Sequence, residues 1–409
     1  MSLDIQIAHR VEEIGQEAWD SLGPERPFAS YRWYRFGETV LTDDLPIYVI
    51  LSRAGEPVAR ATFWLKRRET LPVSSEPLRK LVERLLRRWP LLACCSPMSG
   101  TSGLILPDPP LRDTALEIIV QQGQELLQTH RASVLLFDYL DWAELDLPGW
   151  PDEFAKVREI GPGTKLVIAW PDFDSYLACM PKKQRYNIRR MCRLVADEGI
   201  QIKQYQSVID VDKAMELHQH VNTRYGAPVE VWMQGAMANA GMVDAVWLTA
   251  QKEGQLVGSE LMLGDRGAWL VTGLGLDPGL KNVYFVLGYE DIRYAIDHGA
   301  WVLRWGAETY SVKQRLGFEP ESNSSLVFAS RWPWFQKIGH WIAENGLHQR
   351  EADHPVQAPA PDFPQIGNRG IIRPSGRSES RVVGNSTTGG RCPRPTQGKQ
   401  VGQDAQVCL

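Results

Sequence analysis

Hydrophobic positions alternate with polar ones in short stretches of the first half of the chain, and they recur at helical spacing in between. IYVILSR (47–53) and VARATFWLKR (58–67) flank a Gly-Glu-Pro turn and are rich in β-branched and aromatic residues, which predicts a β-hairpin. The order of hairpin, helix and strand predicts a mixed sheet with packed helices. The elements predicted for this half are strands at 4–9, 47–53, 58–67, 103–106 and 133–139, and helices at 11–22, 27–40 (capped by Ser30), 78–89 and 111–129.

The second half of the chain shows the same two periodicities in another order. Three strand-like segments between residues 244 and 273, separated by short turns, predict an antiparallel meander. A helix, a strand and a short helix follow this meander. The elements predicted for this half are strands at 165–170, 200–205, 244–251, 256–263, 268–273 and 302–305, and helices at 181–199, 211–224, 282–298, 310–316 and 331–345.

Composition indicates an ordinary globular protein. The chain has 409 residues, 43% of them hydrophobic and 23% charged, and this length predicts two or three domains. We find no run of about 18 apolar residues and no apolar segment of signal-peptide type, so we expect no membrane span and a cytoplasmic protein. The six cysteines form no CxxC pair, which favours reduced thiols over a disulfide or metal framework.

Changes in composition set the predicted domain boundaries. Prolines crowd the stretch before residue 165, and we interpret residues 151–164 as the connection between an N-terminal lobe (1–150) and a C-terminal lobe (165–345). Large apolar residues become rare further on. We therefore predict that residues 351–409 form a disordered tail, since such a segment cannot bury enough surface to offset its ordering entropy.

The segment PKKQRYNIRRMCRLVADEG, residues 181–199, predicts one amphipathic helix with a strongly positive start. Pro181 suits the first turn of a helix, and Gly199 suits the position just after its end. Side-chain cations beside free backbone N–H groups favour a phosphate ligand, and the alternative is a solvated surface helix. Because the net charge is −4, a polyanion-binding surface must be a local patch such as this one.

A second basic segment, LRKLVERLLRRW at residues 78–89, has an apolar stripe and a cationic stripe. An amphipathic helix of this kind is able to lie on an anionic lipid surface, which makes a peripheral membrane contact a candidate. The alternative is a lid that packs on the first lobe.

Two motifs in this order resemble the FemAB-like branch of the GNAT acyltransferase superfamily: PKKQRYNIRR at 181–190 and GAETYSVKQRLGF at 306–318. The resemblance covers residues 165–330 well and residues 1–150 in outline. It implies an α/β (α+β) fold of two tandem GNAT-like lobes. Each lobe would be a mixed, mostly antiparallel sheet flanked by helices, and the second lobe would be catalytic.

The resemblance also implies a catalytic lysine. Ordinary GNAT enzymes often place a general-acid tyrosine four residues before the Gly of a Gly-Phe pair, and FemAB-like enzymes place a lysine there. Lys313 stands four residues before Gly317, although Val312 and Leu316 replace the aromatic residues of the family pattern. A cation here would stabilise charge at an acyl carbonyl or bind a substrate phosphate. The alternative is a surface lysine at a helix end.

Acyl transfer to an amine also needs a base for the ammonium proton. Glu308, in the loop after strand 302–305, is the predicted base, and Asp277 and Glu260 rank below it. The segment 273–285, GLGLDPGLKNVYF, lacks the glycine spacing with which ordinary acetyl-CoA enzymes hold a pyrophosphate. This difference argues against a coenzyme A loop of the ordinary kind.

The other predicted site residues bind substrate. Tyr31 and Arg32 lie in an aromatic segment that faces the cleft in similar proteins, or that packs the lobes together. No metal site is predicted, because His218 and His220 lie two residues apart and cannot share a helix face. The full set of predicted binding residues is Arg185, Asn187, Arg189, Arg190, Tyr31, Arg32, Arg224, Tyr225 and Tyr310.

The resemblance implies an N-acyltransferase that moves an acyl group from acyl-CoA, as co-substrate, to an amine. The alternatives are an aminoacyl-tRNA-dependent FemAB-type transferase and a non-catalytic scaffold near the membrane surface. The candidate partners are accordingly a small-molecule or precursor amine and, for the first alternative, tRNA. The acceptor, the pathway and the oligomeric state stay open at this stage.

Overall fold

The computed structural model describes residues 3–69, 76–158, 161–227, 229–307, 309–337 and 340. Glu308 and the predicted tail 351–409 lie outside these residues, and so do the first side chains of the basic segment 78–89. The lipid contact predicted for that segment therefore stays a prediction. No helix in the described part of the chain combines the length and the apolar character needed to cross a bilayer.

Fifteen strands and eleven α-helices are described. The strands are β1 (Asp4–Ala8), β2 (Leu45–Arg53), β3 (Glu56–Lys66), β4 (Leu91–Cys94), β5 (Leu104–Ile105), β6 (Val134–Leu140), β7 (Ala155–Val157), β8 (Thr164–Val167), β9 (Ile200–Tyr205), β10 (Asp244–Lys252), β11 (Gln255–Asp265), β12 (Ala268–Leu276), β13 (Val302–Arg304), β14 (Glu319–Pro320) and β15 (Ser325–Ser330). The helices are α1 (Gln16–Ser21), α2 (Tyr31–Val40), α3 (Glu76–Arg88), α4 (Arg112–Thr129), α5 (Trp142–Leu145), α6 (Phe173–Ala178), α7 (Lys182–Asp197), α8 (Val211–Tyr225), α9 (Met233–Asn239), α10 (Lys281–Asp297) and α11 (Tyr310–Arg315).

The strands form two mixed sheets, one in each lobe. The first has the order β1-β2-β3-β4-β6-β15-β7, with β5 beside β3, and the second has the order β9-β10-β11-β12-β13-β8-β14. In each sheet one neighbouring pair is parallel, β4 with β6 and β12 with β13, and the other pairs are antiparallel. The predicted fold class, two lobes with mixed and mostly antiparallel sheets, is confirmed.

The two sheets exchange their sixth strand. In the first sheet that position belongs to β15, which comes from the far end of the chain, and in the second it belongs to β8, which follows β7 directly. Residues 155–157 and 325–330, which the sequence boundaries put in the connection and in the second lobe, thus lie in the first sheet. The sequence did not reveal this because strand periodicity carries no information on which sheet a strand joins.

Burial on both faces explains the continuous apolar runs of the central strands. In β2, Ile47, Val49 and Leu51 face a core under α4, while Tyr48 and Ile50 face the other lobe. The sequence also predicted one helix over 11–22, but a 3₁₀ turn at Val11–Glu13 and the helix α1 occur instead. They are separated by Gly15, which has a φ of 85°. A right-handed helix cannot continue through a residue with this φ.

A shared core and polar contacts join the lobes. Trp33 and Phe36 of α2 pack in one cluster with Met233 and Met237 of α9. The predicted cap Ser30 accepts from the Trp33 amide and also donates its hydroxyl to Asp265 of β11 at 2.5 Å. The two lobes are therefore joined by α2, which contacts both α9 and β11 of the second lobe.

Candidate functional site

The two parallel strands of the second sheet separate after a short contact. β12 and β13 are paired at three positions only, which end at Leu270 and Arg304, and β12 runs six residues further. The chain after β13 turns instead toward β8, since the Trp305 amide donates to the Thr164 carbonyl at 2.7 Å. Beyond Leu270 the edge of β12 therefore has no strand partner on the side of β13 among the described residues.

Lys313 fixes this turn. It lies on α11 with 3% of its surface exposed, and its ammonium donates to the carbonyl oxygens of Trp305 (2.6 Å), Gly306 (2.9 Å) and Ala307 (2.9 Å). An ammonium has three N–H donors, so these carbonyls satisfy all of them. Lys313 is thus a buried anchor of the turn and not a surface lysine. From the sequence we expected the ammonium of this lysine to face a cleft, whereas in the structure it contacts backbone carbonyls.

The two motifs that are distant in sequence meet in space. The Tyr176 hydroxyl of α6 donates to the Leu316 carbonyl at 2.8 Å, and the Gln184 side chain of α7 donates to the Arg315 carbonyl. Both acceptors are carbonyls at the end of α11, which have no partner within the helix. The basic helix α7 therefore begins directly beside the helix that carries Lys313.

A groove on the outer face of α6, α7 and α10 collects positive charge. Its volume is about 710 Å³, and Phe173, Leu177 and Ile188 form an apolar part of its wall. One carboxylate, Asp174, lies among five cations. The cations lining the groove are Lys182, Arg185, Arg189, Arg193 and Arg293.

The arginines of this groove differ in what they contact. Arg185 donates to the carbonyl oxygens of Met180 (2.6 Å) and Ala178 (3.3 Å), so it also caps α6. Arg189 is exposed and has no described ion pair. Of the four predicted residues on this helix, the groove includes Arg185 and Arg189, while Asn187 and Arg190 are exposed but do not line it. Lys182, Arg193 and Arg293 were not predicted as site residues.

Other predicted residues lie at lobe contacts. Arg32 pairs with Asp244 at 2.6 Å and donates to the Met242 carbonyl, so it joins α2 to the second lobe, and Tyr31 packs in the shared core beside it. The Tyr310 hydroxyl donates to the Pro162 carbonyl at 2.8 Å and fastens α11 to the connection.

Tyr225 is the last residue of α8. It is 57% exposed, and the Arg224 guanidinium lies 5.8 Å from the centre of its ring. Burial, with smaller contributions from Glu260, Tyr225 and Asp291, raises the pKa of Tyr284 to about 12. Tyr225, Tyr284 and the carboxyl groups thus belong to one neighbourhood.

His218 of α8 supports the unpaired end of β12. Its Nδ1 lies 2.8 Å from the Leu274 carbonyl, and its Nε2 lies 3.0 Å from the Asn222 amide nitrogen and 3.2 Å from Glu230. A backbone carbonyl that has lost its neighbouring strand requires another donor, and the ring supplies one. Within the described ranges, no group of three or more His, Cys, Asp or Glu side chains is arranged to hold a metal ion.

Comparison with known proteins gives a family and a fold. A sequence model of the FemAB-like family, described as peptidoglycan biosynthesis and recognition, matches residues 10–361. No curated protein sequence matches the chain. The crystal structure of FemX is similar at 11% identity, with a TM-score of 0.55 over 82% of this chain and 100% of that one. At that identity the likeness shows a common fold.

Two further solved structures are similar at lower scores. A tandem GNAT protein from the clavulanic acid biosynthesis pathway has 16% identity and a TM-score of 0.48, over 81% of this chain and 99% of that one. The C-terminal domain of a putative lysylphosphatidylglycerol synthetase from Agrobacterium fabrum has 10% identity and a TM-score of 0.49, over 82% and 97%.

Proposed function

The chain belongs to the FemAB-like family, and we propose that it transfers an acyl or aminoacyl group from an activated donor to an amine. The observation that carries this proposal is the separation of β12 from β13 after Leu270 and Arg304, directly before the turn that Lys313 anchors. A donor carbonyl placed there would lie against fixed backbone, and a fixed polar environment is what acyl transfer requires. The family description makes an amine of a peptidoglycan precursor the proposed acceptor.

In this reaction the acceptor amine attacks the carbonyl carbon of the donor and a tetrahedral intermediate forms. The C–O or C–S bond to the leaving group then breaks, and the ammonium proton passes to a base. We keep Glu308 as the proposed base on the strength of the sequence. Lys313 acts by holding the turn, since its donors are engaged by the three carbonyls.

An aminoacyl-tRNA is the donor that the groove favours. Four of the five cations lie on α7 and the fifth lies on α10. They lie beside the ring of Tyr186, which is 58% exposed. A basic groove with an exposed aromatic ring suits single-stranded nucleic acid, in which phosphates and bases alternate. The acceptor end of a tRNA provides such a strand.

Acyl-CoA is the second candidate donor, and the parting of β12 and β13 favours it, because two strands that separate leave backbone groups for a pantetheine chain. The loop between β12 and α10 favours it less. The amides of Asp277, Leu280 and Val283 already donate to carbonyls at Val257, Asp277 and Leu280. Fewer amides are then left to hold a pyrophosphate.

A donor assay tests the proposal. The protein is incubated with a UDP-linked peptidoglycan pentapeptide and either a mixture of charged tRNAs or acetyl-CoA and longer acyl-CoAs. We expect the pentapeptide to gain an amino acid from tRNA, with release of uncharged tRNA. Thiol release with acylated pentapeptide would identify acyl-CoA instead. Hydrolysis of neither donor, with no modified acceptor, would contradict a transferase.

Substituting Arg189 and Arg193 with alanine is expected to weaken binding of charged tRNA by at least about tenfold for each arginine, because hydrogen bonds to phosphate are charge-assisted. The melting temperature should stay near that of the wild type, since both side chains are exposed. Binding is measured by filter retention at two salt concentrations, and the loss should be smaller at high salt.

Two single variants act as controls for this result. Arg190→Ala removes one positive charge from the same helix outside the groove, as each of the two substitutions does within it, and should leave binding unchanged. Arg185→Ala should also lower the melting temperature, because it removes the donor to the Met180 and Ala178 carbonyls. If Arg190→Ala weakens binding as much as the double variant does, the effect is one of net charge and the groove is not the binding site.

A further inference from the structure

Two carboxyl groups face each other inside the second lobe. Glu260 of β11 is 1% exposed and Asp291 of α10 is 0% exposed, and the two groups lie within hydrogen-bonding distance of each other. A β-bulge in β12, where Gly273 and Leu274 lie opposite Glu260, interrupts the pairing of β11 with β12 at this residue. The sequence named Glu260 only as a base of low rank and did not identify Asp291.

No described N–H or O–H group donates to Glu260 Oε2 or to either oxygen of Asp291. Two ionised carboxylates cannot stay together in a dry interior, because both desolvation and mutual repulsion oppose it. A single proton between the two groups removes the repulsion and gives one of them a donor. The pair then carries one negative charge.

Lys313 provides the opposite charge. It is the cation that interacts electrostatically with Glu260, and its own hydrogen bonds to three carbonyls do not neutralise it. The attraction between a cation and an anion is stronger in a buried site than in water. Among the described residues, Tyr284 and Glu290 of α10 are further ionisable groups that interact with the pair, and Tyr225 interacts with Tyr284.

We propose that Glu260, Asp291 and one shared proton form a counter-ion of Lys313, and that this buried unit positions the Trp305–Ala307 turn where β13 separates from β12. Glu260 and Asp291 are thus positioning residues that act through Lys313. Their role in transfer rests on the proposed function, whereas the shared proton and the pairing with Lys313 do not.

Protonation of the pair has a defined pH dependence. Burial, the largest effect, raises the pKa of Glu260 to about 7, although Asp291 and Lys313 act in the opposite direction, and burial also holds the pKa of Asp291 well above its usual range. The folded state then binds more protons than the unfolded state between the ordinary carboxyl pKa and the raised one. The contribution of the pair to stability therefore falls as the pH rises through this interval.

The experiment combines Glu260→Gln, Asp291→Asn and Lys313→Met in the full chain. Each single amide keeps the shape, donates an N–H in place of the shared proton and leaves one negative charge, so each variant should fold at pH 7. Glu260→Gln/Asp291→Asn removes that charge. Lys313→Met lowers the folding equilibrium constant by some factor in each background. We expect this factor to be about tenfold smaller in the double-amide background than in the wild type, measured by urea denaturation.

Infrared spectroscopy detects the shared proton directly. The wild type should show the carbonyl stretch of a protonated carboxylic acid at pH 7, and both single amide variants should lack it. A band that persists in Glu260→Gln would mean that Asp291 holds its own proton, which would overturn the proposal. Because this readout needs only the singles, it decides the question even if the double variant does not fold.

Glu290→Gln is the matched control. Glu290 precedes Asp291 on α10 and pairs with Arg293 at 3.4 Å. It should leave the infrared band unchanged and show no coupling to Lys313→Met. Equal effects of Lys313→Met in the wild-type and double-amide backgrounds would show that the carboxyl pair is not its counter-ion. None of these measurements depends on transfer activity, so failure of the proposed function is recognised separately.

Discussion

Replacing Lys313 with methionine is expected to lower the free energy of unfolding by about 3–5 kcal/mol and to reduce transfer at least about 100-fold. Methionine keeps the length of the apolar stem but has no N–H to offer the three carbonyls of the turn. Those oxygens are held within 2.6–2.9 Å of the ammonium in the wild type and would be left without this donor. The turn would then shift, and small displacements beside a reacting carbonyl reduce rates strongly.

Lys165→Met is the control for this variant. Lys165 lies in the same sheet, on β8, and pairs with Glu319 at 3.6 Å with a third of its side chain exposed. A pair of this kind contributes about 0–1 kcal/mol, so its loss should hardly move the urea midpoint. If Lys313→Met unfolds at the same urea concentration as Lys165→Met, the ammonium does not hold the turn.

A chain that ends after Asn323 is expected to lose the cooperative unfolding of its first lobe. It lacks β15, which lies between β6 and β7 and places Val327 in the core under α4. Without β15, the ladder bonds of both neighbours are left open and an interior strand position becomes a void. Loss of the near-ultraviolet circular dichroism of the buried tryptophans is the measurement.

The matched comparison for this truncation is a chain that ends at residue 350 and keeps every described residue. It should unfold as the full chain does. If the chain that ends after Asn323 keeps the full transition, the first sheet is stable without β15, and the strand exchange has no part in holding the lobes together.

Much of the fold was predictable because most of its strands and helices are specified locally. The hairpin of β2 and β3, the meander of β10 to β12 and the helix α7 follow from periodicity and turn chemistry in contiguous segments. β4, β7, β14 and β15 were missed. They have four, three, two and six residues, and their positions depend on partners far away in the chain.

The sequence indicated which motifs the candidate site contains, but not how their residues contact one another. Lys313 and the start of α7 were identified by two motifs, and the structure brings those motifs together. Asp291 carried a signal that was overlooked, since it is an acid on the same helical face as Tyr284 and Gly288. The sequence could not show that the Lys313 ammonium donates to backbone carbonyls, because hydrogen-bond partners depend on tertiary geometry.

The exchanged strands also determine the order in which the protein is completed during its synthesis. β6 is translated about 185 residues before β15, which corresponds to a delay of roughly 10–40 s at the usual rates of translation. Through this interval the nascent first lobe presents an open strand edge, which is prone to pair wrongly. All strands of the second sheet, including β8 and β14, are translated before β15. The second lobe can therefore complete its sheet before the first lobe does, although it is synthesised later.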